Sequence, residues 1–115
     1  MSIHQREIVE VNFPLPDGTF EPHPAIILSN NDIIAEEEAF VCVMITSHNF
    51  NDEYTYRLKD EMLSRQLKKP CQVRCHLITI VQIKHIIGRY GMIKQNNFEE
   101  IIRQINSNLL RVNLR

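Results

Sequence analysis

The sequence predicts a mainly β chain with a C-terminal helix, folded as a small antiparallel barrel on which that helix packs. Three observations lead there. Short segments of strand-like alternation follow one another with no helical pattern between them, which argues antiparallel pairing of neighbours. The connections are irregular and rich in proline, asparagine and aspartate. Only residues 97–110 carry a sustained apolar stripe at helix spacing.

Glu7 to Phe13 alternates, with Val9, Val11 and Phe13 opposed to Ile8, Glu10 and Asn12, and reads as the first strand. Pro14 to Pro24 follows with four prolines and a Pro-Asp-Gly turn. Proline lacks the N–H that a ladder needs, so this stretch is expected to be a stiffened loop without helix or regular pairing. Long ordered loops are often functional. Ala25 to Leu28 is a short apolar run, consistent with a buried strand, and Ser29 to Asp32 breaks it. Asp32 to Ala39 reads as either a helical turn or a mobile acidic loop.

Phe40 to Thr46 is the most hydrophobic strand and should be buried on both faces. Ser47 to Glu53 is polar and turn-like, and Tyr54 to Leu58 alternates as another strand. Lys59 to Pro70 has no clean period and is expected to be a loop containing Met62 and Leu63. Cys71 to Leu77 is a strand that continues or bends into Thr79 to Val81. Lys84 to Gly91 is short and punctuated by glycine. In the last element Asn97 is placed to cap, with Glu100 at N3 as in a capping box. Phe98, Ile101, Ile102, Ile105 and Leu109 form its apolar stripe. Glu99 and Glu100 would sit at the positive end of the helix and Arg111 near the negative end.

At 115 residues the chain fits one domain, spanning 1–115, and is long enough to bury a core without covalent staples. A hydrophobic content of 43% and a charged content of 23% are ordinary for a globular protein. The formal net charge of -1 excludes a generally sticky nucleic-acid binder but hides a segregation. Glu36, Glu37, Glu38, Asp52, Glu53, Asp60 and Glu61 make the middle acidic. Met62 to Phe98 contains no acidic residue, while Arg65, Lys68, Lys69, Arg74, Lys84, Arg89 and Lys94 are basic. Unless folding mixes the segments, that run presents a positive surface to an anionic partner.

The three cysteines, Cys42, Cys71 and Cys75, form an odd set in a chain that needs no bridges, which points to reduced thiols in a cytoplasm. Cys71, Cys75 and His76 do not suit one zinc ion, because His76 would face away from both thiols in a strand; no metal is expected. The polar character of Met1 to Val11 and the lack of a long apolar run predict neither a signal peptide nor a membrane span. The three glycines, at 18, 88 and 91, cannot form a phosphate-binding glycine motif, so nucleotide-dependent chemistry is disfavoured and no cofactor is expected.

The stretch Cys71-Gln-Val-Arg-Cys-His-Leu-Ile-Thr-Ile80 carries the sharpest chemical signal. Strand alternation puts Val73, Cys75 and Leu77 on one face and Arg74 and His76 on the other, about 6–7 Å apart. An arginine that holds a phosphate beside an imidazole that moves a proton is a minimal site for cutting RNA; the plainer alternative is a solvated strand face. His23 stands between Pro22 and Pro24, which fix an extended frame around its imidazole. Thr46 and Ser47 end the buried strand, where hydroxyls either bind phosphate or satisfy local backbone groups. Ser47 and His48 are adjacent, so they do not form a nucleophile–base pair by themselves. Phe20 lies among polar neighbours in the proline-rich stretch and is free to stack on a base. Tyr54, Tyr56 and Tyr90 fit the core better.

Three blocks taken together resemble the MazF/PemK-like toxin family. Glu7-Ile-Val-Glu-Val-Asn-Phe13, followed by Pro22-His-Pro-Ala-Ile-Ile-Leu-Ser-Asn30, is similar to its opening strand, loop and Arg-Pro-Ala-hydrophobic-Ser-Asn strand. Val41-Cys-Val-Met-Ile-Thr-Ser47 is similar to its apolar strand ending in Thr-Ser or Thr-Thr. Val73-Arg-Cys-His-Leu-Ile-Thr-Ile80 is similar to its strand with Val-Arg-Cys-Asp followed by Arg-Thr-Ile. Order and spacing agree over nearly the whole chain.

The resemblance implies an SH3-like barrel that works as a homodimer. It implies a metal-independent endoribonuclease, the toxin half of a type II toxin–antitoxin pair, which cuts single-stranded RNA at short sequences. A cognate antitoxin silences such a toxin by laying its tail across the RNA groove, and the complex binds DNA. The 2′-hydroxyl attacks the adjacent phosphate and leaves a 2′,3′-cyclic phosphate. By residue, the resemblance assigns Arg74 to the scissile phosphate and Thr46 and Ser47 to substrate contact. His76 stands where some members have an aspartate as general base, and an imidazole suits that role near neutral pH. His23 replaces the usual arginine before Pro-Ala and serves as acid or second clamp. Glu21 stands in for the acidic residue of the family's first loop. The alternative within this fold is a non-catalytic barrel that binds RNA, an antitoxin or a protein target such as gyrase.

Overall fold

In the computed structural model, which describes residues 2–114, six strands and two helices follow in the order β1 (Glu7–Pro14), β2 (Phe20–Ile27), α1 (Asn31–Glu37), β3 (Ala39–Thr46), β4 (Thr55–Leu58), β5 (Cys71–Gln82), β6 (Gly88–Met92) and α2 (Gln95–Ser107). Met1 and Arg115, the ends of the expected 1–115 domain, lie outside the described residues. The strands form one antiparallel sheet in the order β4-β5-β3-β2-β1-β6. The expected mainly β architecture with a C-terminal helix is therefore present. The barrel is not closed, because β4 and β6 end the sheet without pairing to each other.

Each face of the sheet has its own core. Val9, Val11 and Phe13 of β1 join Ala25, Ile27, Phe40, Cys42 and Met44 on one side. Ile8, Ile26, Val43, Ile45, Val73 and Cys75 make the other, which α2 covers with Phe98, Ile101 and Ile105. Fully burying such a side chain stabilises by about 1.5–3 kcal/mol, so this stripe rather than intrinsic propensity holds the helix. The alternation of β1 and the two-sided burial of β3 follow the sequence expectation.

The main correction concerns the proline-rich stretch. Phe20 to Pro24 is not loop but the first half of β2, paired residue for residue with β1 from Phe20 opposite Pro14 to Pro24 opposite Glu10. The turn is confined to the residues between the strands, where Gly18 takes a φ of 90° that suits glycine. The prolines are tolerated for a geometric reason. Arg6 N donates to the Ile27 carbonyl and Leu28 N to the Val41 carbonyl, so odd positions of β2 face β1 and even positions face β3. Pro22 and Pro24 thus lack donors only on the side of β3, whose pairing with β2 covers just Ala25 to Ile27.

One further expectation is settled and another revised. Of the two readings of 32–39, the helix holds: Asn30 caps α1 by accepting from Ile33 N at 2.9 Å, and Ile34 is buried. At α2 the cap residue is Lys94, not Asn97, and the helix begins at Gln95. Asn97 is buried and turns sideways, donating to Tyr56 Oη and Glu100 Oε1. Glu99 and Glu100 therefore fall beyond the first turn, and the helix ends at Ser107, before Arg111.

Candidate active site

The site forms where β5 departs from regular pairing. Val43 of β3 lies opposite Ile78, but the next residue, Met44, lies opposite Arg74. Cys75, His76 and Leu77 therefore have no partner in β3 and bulge out of the ladder. Bulges re-aim side chains next to functional sites. Here the bulge breaks the simple alternation read from the sequence. Cys75 still joins Val73 in the core under α2, whereas Leu77 packs against the opposite core and lines the same cavity as Arg74 and His76.

That cavity has a volume of about 440 Å³. β2 contributes His23, β3 contributes Met44 and Thr46, β5 contributes Arg74, His76 and Leu77, and the β3–β4 connection contributes His48 and Phe50. The β1–β2 turn closes it with Leu15, Pro16 and Asp17. A larger groove of about 1240 Å³ lies along the other half of β5, lined by Phe20, Ile80, Lys84, His85 and Ile87 among others.

Arg74 is buried, with only 6% of its surface exposed. Its guanidinium makes a two-point pair with Asp52, Nη1 to Oδ1 at 2.9 Å and Nη2 to Oδ2 at 3.1 Å, and Nη1 also donates to Thr55 Oγ1 at 2.9 Å. The Phe50 ring covers one face, 3.8 Å from ring centroid to guanidinium carbon. Arg74 Nε has no partner and is buried. The arginine holds the Asp52 carboxyl down at about 2.

His76 packs its ring against Tyr54, with centroids 4.5 Å apart. Its Nδ1 is likewise buried without a partner. Burial and then the neighbouring Arg74 charge lower the His76 pKa below 6.5. The imidazole is thereby neutral at neutral pH and able to accept a proton.

His23 is held by the gap that proline leaves. Continuing the β2–β3 register would put Pro24 opposite Ile45, where it has no N–H to give. His23 Nδ1 instead donates to the Ile45 carbonyl at 3.1 Å. That bond fixes Nδ1 as a donor and leaves Nε2 beside Glu21 Oε1 at 3.3 Å. Thr46 is buried, and its Oγ1 accepts from His48 N at 3.1 Å.

Residues 4–109 match the family described as PemK-like, MazF-like toxin of type II toxin-antitoxin system. The chain belongs to this toxin family. No curated protein matches it by sequence. Solved structures of MazF proteins share the fold of this PemK-like chain. An endoribonuclease in complex with its cognate antitoxin from Mycobacterial species superposes with a TM-score of 0.78 at 13% identity, covering 99% of this chain and 100% of that one. MazF (Form-I) from Deinococcus radiodurans gives 0.78 at 12%, covering 95% and 97%. The Mycobacterium tuberculosis toxin MazF-mt6 gives 0.73 at 15%, covering 94% and 99%.

In this PemK-like toxin, His23, Thr46, Arg74 and His76 come together on one cavity. Glu21 touches it only through His23. Ser47 is exposed beside it, and Phe20, 62% exposed, lines the larger groove instead. Sequence reasoning missed His48, Phe50 and Asp52. All three lie in a polar turn with no periodicity, and only the fold brings them to Arg74.

The acid-free run from Met62 to Phe98 does not stay uniformly positive, since Arg74 pairs with Asp52 and Arg89 with Glu7. Among the described residues no cluster of three His, Cys, Asp or Glu side chains is placed to hold a metal ion, and the cysteines are unbridged. No helix among them is long and apolar enough to cross a membrane.

Proposed function

We propose that this chain is a toxin that cuts single-stranded RNA without a metal ion. The observation that carries the reading is the convergence of two imidazoles, a hydroxyl and a buried arginine on one cavity from three separate strands. RNA self-cleavage needs a base at the 2′-hydroxyl, positive charge at the phosphate oxygens and an acid at the leaving oxygen.

His76, half-buried and kept neutral by its lowered pKa, takes the proton from the 2′-hydroxyl. The 2′-oxygen bonds to phosphorus while the bond from phosphorus to the 5′-oxygen breaks. Arg74 carries the charge that develops on the phosphate oxygens. His23, with its Nδ1–H committed to the Ile45 carbonyl, delivers the second proton of its imidazolium form from Nε2 to the departing 5′-oxygen. Glu21 orients that ring, and Thr46 and Ser47 position the RNA. The products are a 2′,3′-cyclic phosphate and a 5′-hydroxyl.

The same reading makes the chain a cytoplasmic homodimer controlled by a cognate antitoxin. Its support is the family match and the likeness to MazF folds crystallised with MazE. The test is incubation of the purified chain with a long single-stranded RNA in EDTA, followed by end-group analysis. Cleavage leaving cyclic phosphate and 5′-hydroxyl ends is expected. Ends carrying a 3′-hydroxyl would contradict the mechanism. No cleavage in EDTA or magnesium would favour a barrel that only binds RNA, antitoxin or another protein.

A further inference from the structure

We propose that Asp52 is a positioning residue that turns the side-on edge of Arg74, formed by Nε and Nη2, to the RNA phosphate. The inference rests on the nuclease reading for its substrate. Its geometry comes from counting donors.

A guanidinium has five N–H bonds. Asp52 takes one from Nη1 and one from Nη2, the end-on pair, and Thr55 Oγ1 takes the other from Nη1. What remains is the Nε–H and the second N–H of Nη2. These two are parallel neighbours on one edge of the plane, a fork that matches two oxygens of a phosphate. Nε is buried without a protein partner, an uncommon state for so strong a donor and one that an anion would relieve. His76 Nδ1, two residues along the bulge, is unpartnered in the same way.

Asp52 is itself rigid. Its Oδ1 accepts from Tyr54 N at 3.1 Å and from Thr55 Oγ1 at 3.0 Å, which locks the turn that opens β4. The connection around it is tied to the sheet and to α2. Gln72 Nε2 donates to Asn49 Oδ1 and the Phe50 carbonyl, and Gln104 and Asn108 donate to the Glu53 carbonyl. A carboxylate so anchored aims the arginine; it does not swing away to release the end-on fork. Phosphate therefore meets the side-on edge in the plane of the guanidinium, while the Phe50 ring packs on its face.

The test uses Asp52→Asn, which keeps the Oδ1 acceptor of the turn but sets an amide against Nη2. The Arg74 Nε–H resonance of the full ¹⁵N-labelled chain is titrated with a single-stranded DNA oligonucleotide, which lacks the 2′-hydroxyl and is not cut. The resonance is expected to move in the wild type and not in Asp52→Asn. RNA cleavage by the variant should fall about 100-fold, chiefly in kcat. In an Arg74→Lys background, which has no fork to aim, Asp52→Asn should add no further loss.

An Nε–H that stays still while the wild type cuts RNA overturns the inference and leaves the nuclease reading standing. So does an Asp52→Asn protein that cuts as fast as the wild type or faster, or one whose loss adds fully to that of Arg74→Lys. A shift at Nε–H that depends on Asp52 in a chain that cuts no RNA upholds the aimed arginine and removes the nuclease reading instead. If Asp52→Asn does not fold, Thr55→Val, which deletes one Nη1 acceptor on the same strand, carries the same comparison with a several-fold loss expected and an unchanged rate overturning it.

Discussion

The two halves of β5 differ more than any other pair of neighbouring regions. From Ile78 to Gln82 the strand pairs one-to-one with β3, Ile78 opposite Val43 and Gln82 opposite Ala39. Its exposed side chains there include Ile80, 71% exposed on an open groove. Just beyond Arg74, which is buried opposite Met44, the same strand leaves the β3 ladder from Cys75 to Leu77 and closes a smaller cavity with His23 and Thr46. Regular pairing fixes the sheet and leaves its surface unspecialised. The bulge breaks the period of two, and that break gathers titratable groups that a regular strand would have kept on a solvated face.

Changes in the bulged half are expected to abolish chemistry, and changes in the regular half are not. Arg74→Ala should have the largest effect. It removes the phosphate charge and leaves the Asp52 carboxylate without its partner, and cleavage is expected to fall by about 1000-fold or more, read as single-turnover rates on a defined RNA. The pH profile comes next. Because the His76 pKa of the free chain lies below 6.5, the acidic limb of kcat/KM should have its midpoint below 6.5, with activity rising as pH rises through it. A limb centred above that value would remove His76 as the base.

Phe50→Ala removes the ring that holds the guanidinium in place and should weaken binding of an uncleavable oligonucleotide by a few-fold, in line with about 1 kcal/mol for one cation–π contact. The smallest effect is on acid stability. The Asp52 pKa is about 2 in the folded chain against 3.8 for the free group. Its contribution is present above about 4 and lost as pH falls towards 2. Thermal melts of Asp52→Asn should accordingly lose less than the wild type between those pH values.

Much of this was legible in the residues. Alternation placed β1 and β4, uninterrupted hydrophobicity placed β3, and the stripe of Phe98, Ile101 and Ile105 placed α2. The first half of β2 was hidden because proline argues against any strand, and only the sheet order shows that Pro22 and Pro24 face an unpaired edge. The same order explains His23, whose ring supplies the hydrogen bond that Pro24 cannot. Arg74 and His76 stood out from chemistry and spacing alone. The partners of Arg74 did not, since Phe50, Asp52 and Thr55 meet it across about twenty residues of sequence, a separation that local pattern does not encode.

The most direct measurement is the cleavage rate of one defined RNA by His76→Ala and Ile80→Ser side by side, with both proteins shown to be folded. His76→Ala should lose about 100-fold or more, as expected when a general base is removed, while Ile80→Ser keeps the wild-type rate. A His76→Ala protein that cuts at the wild-type rate, or an Ile80→Ser protein that loses activity as His76→Ala is expected to, would contradict the placement of the chemistry in the bulged half of β5.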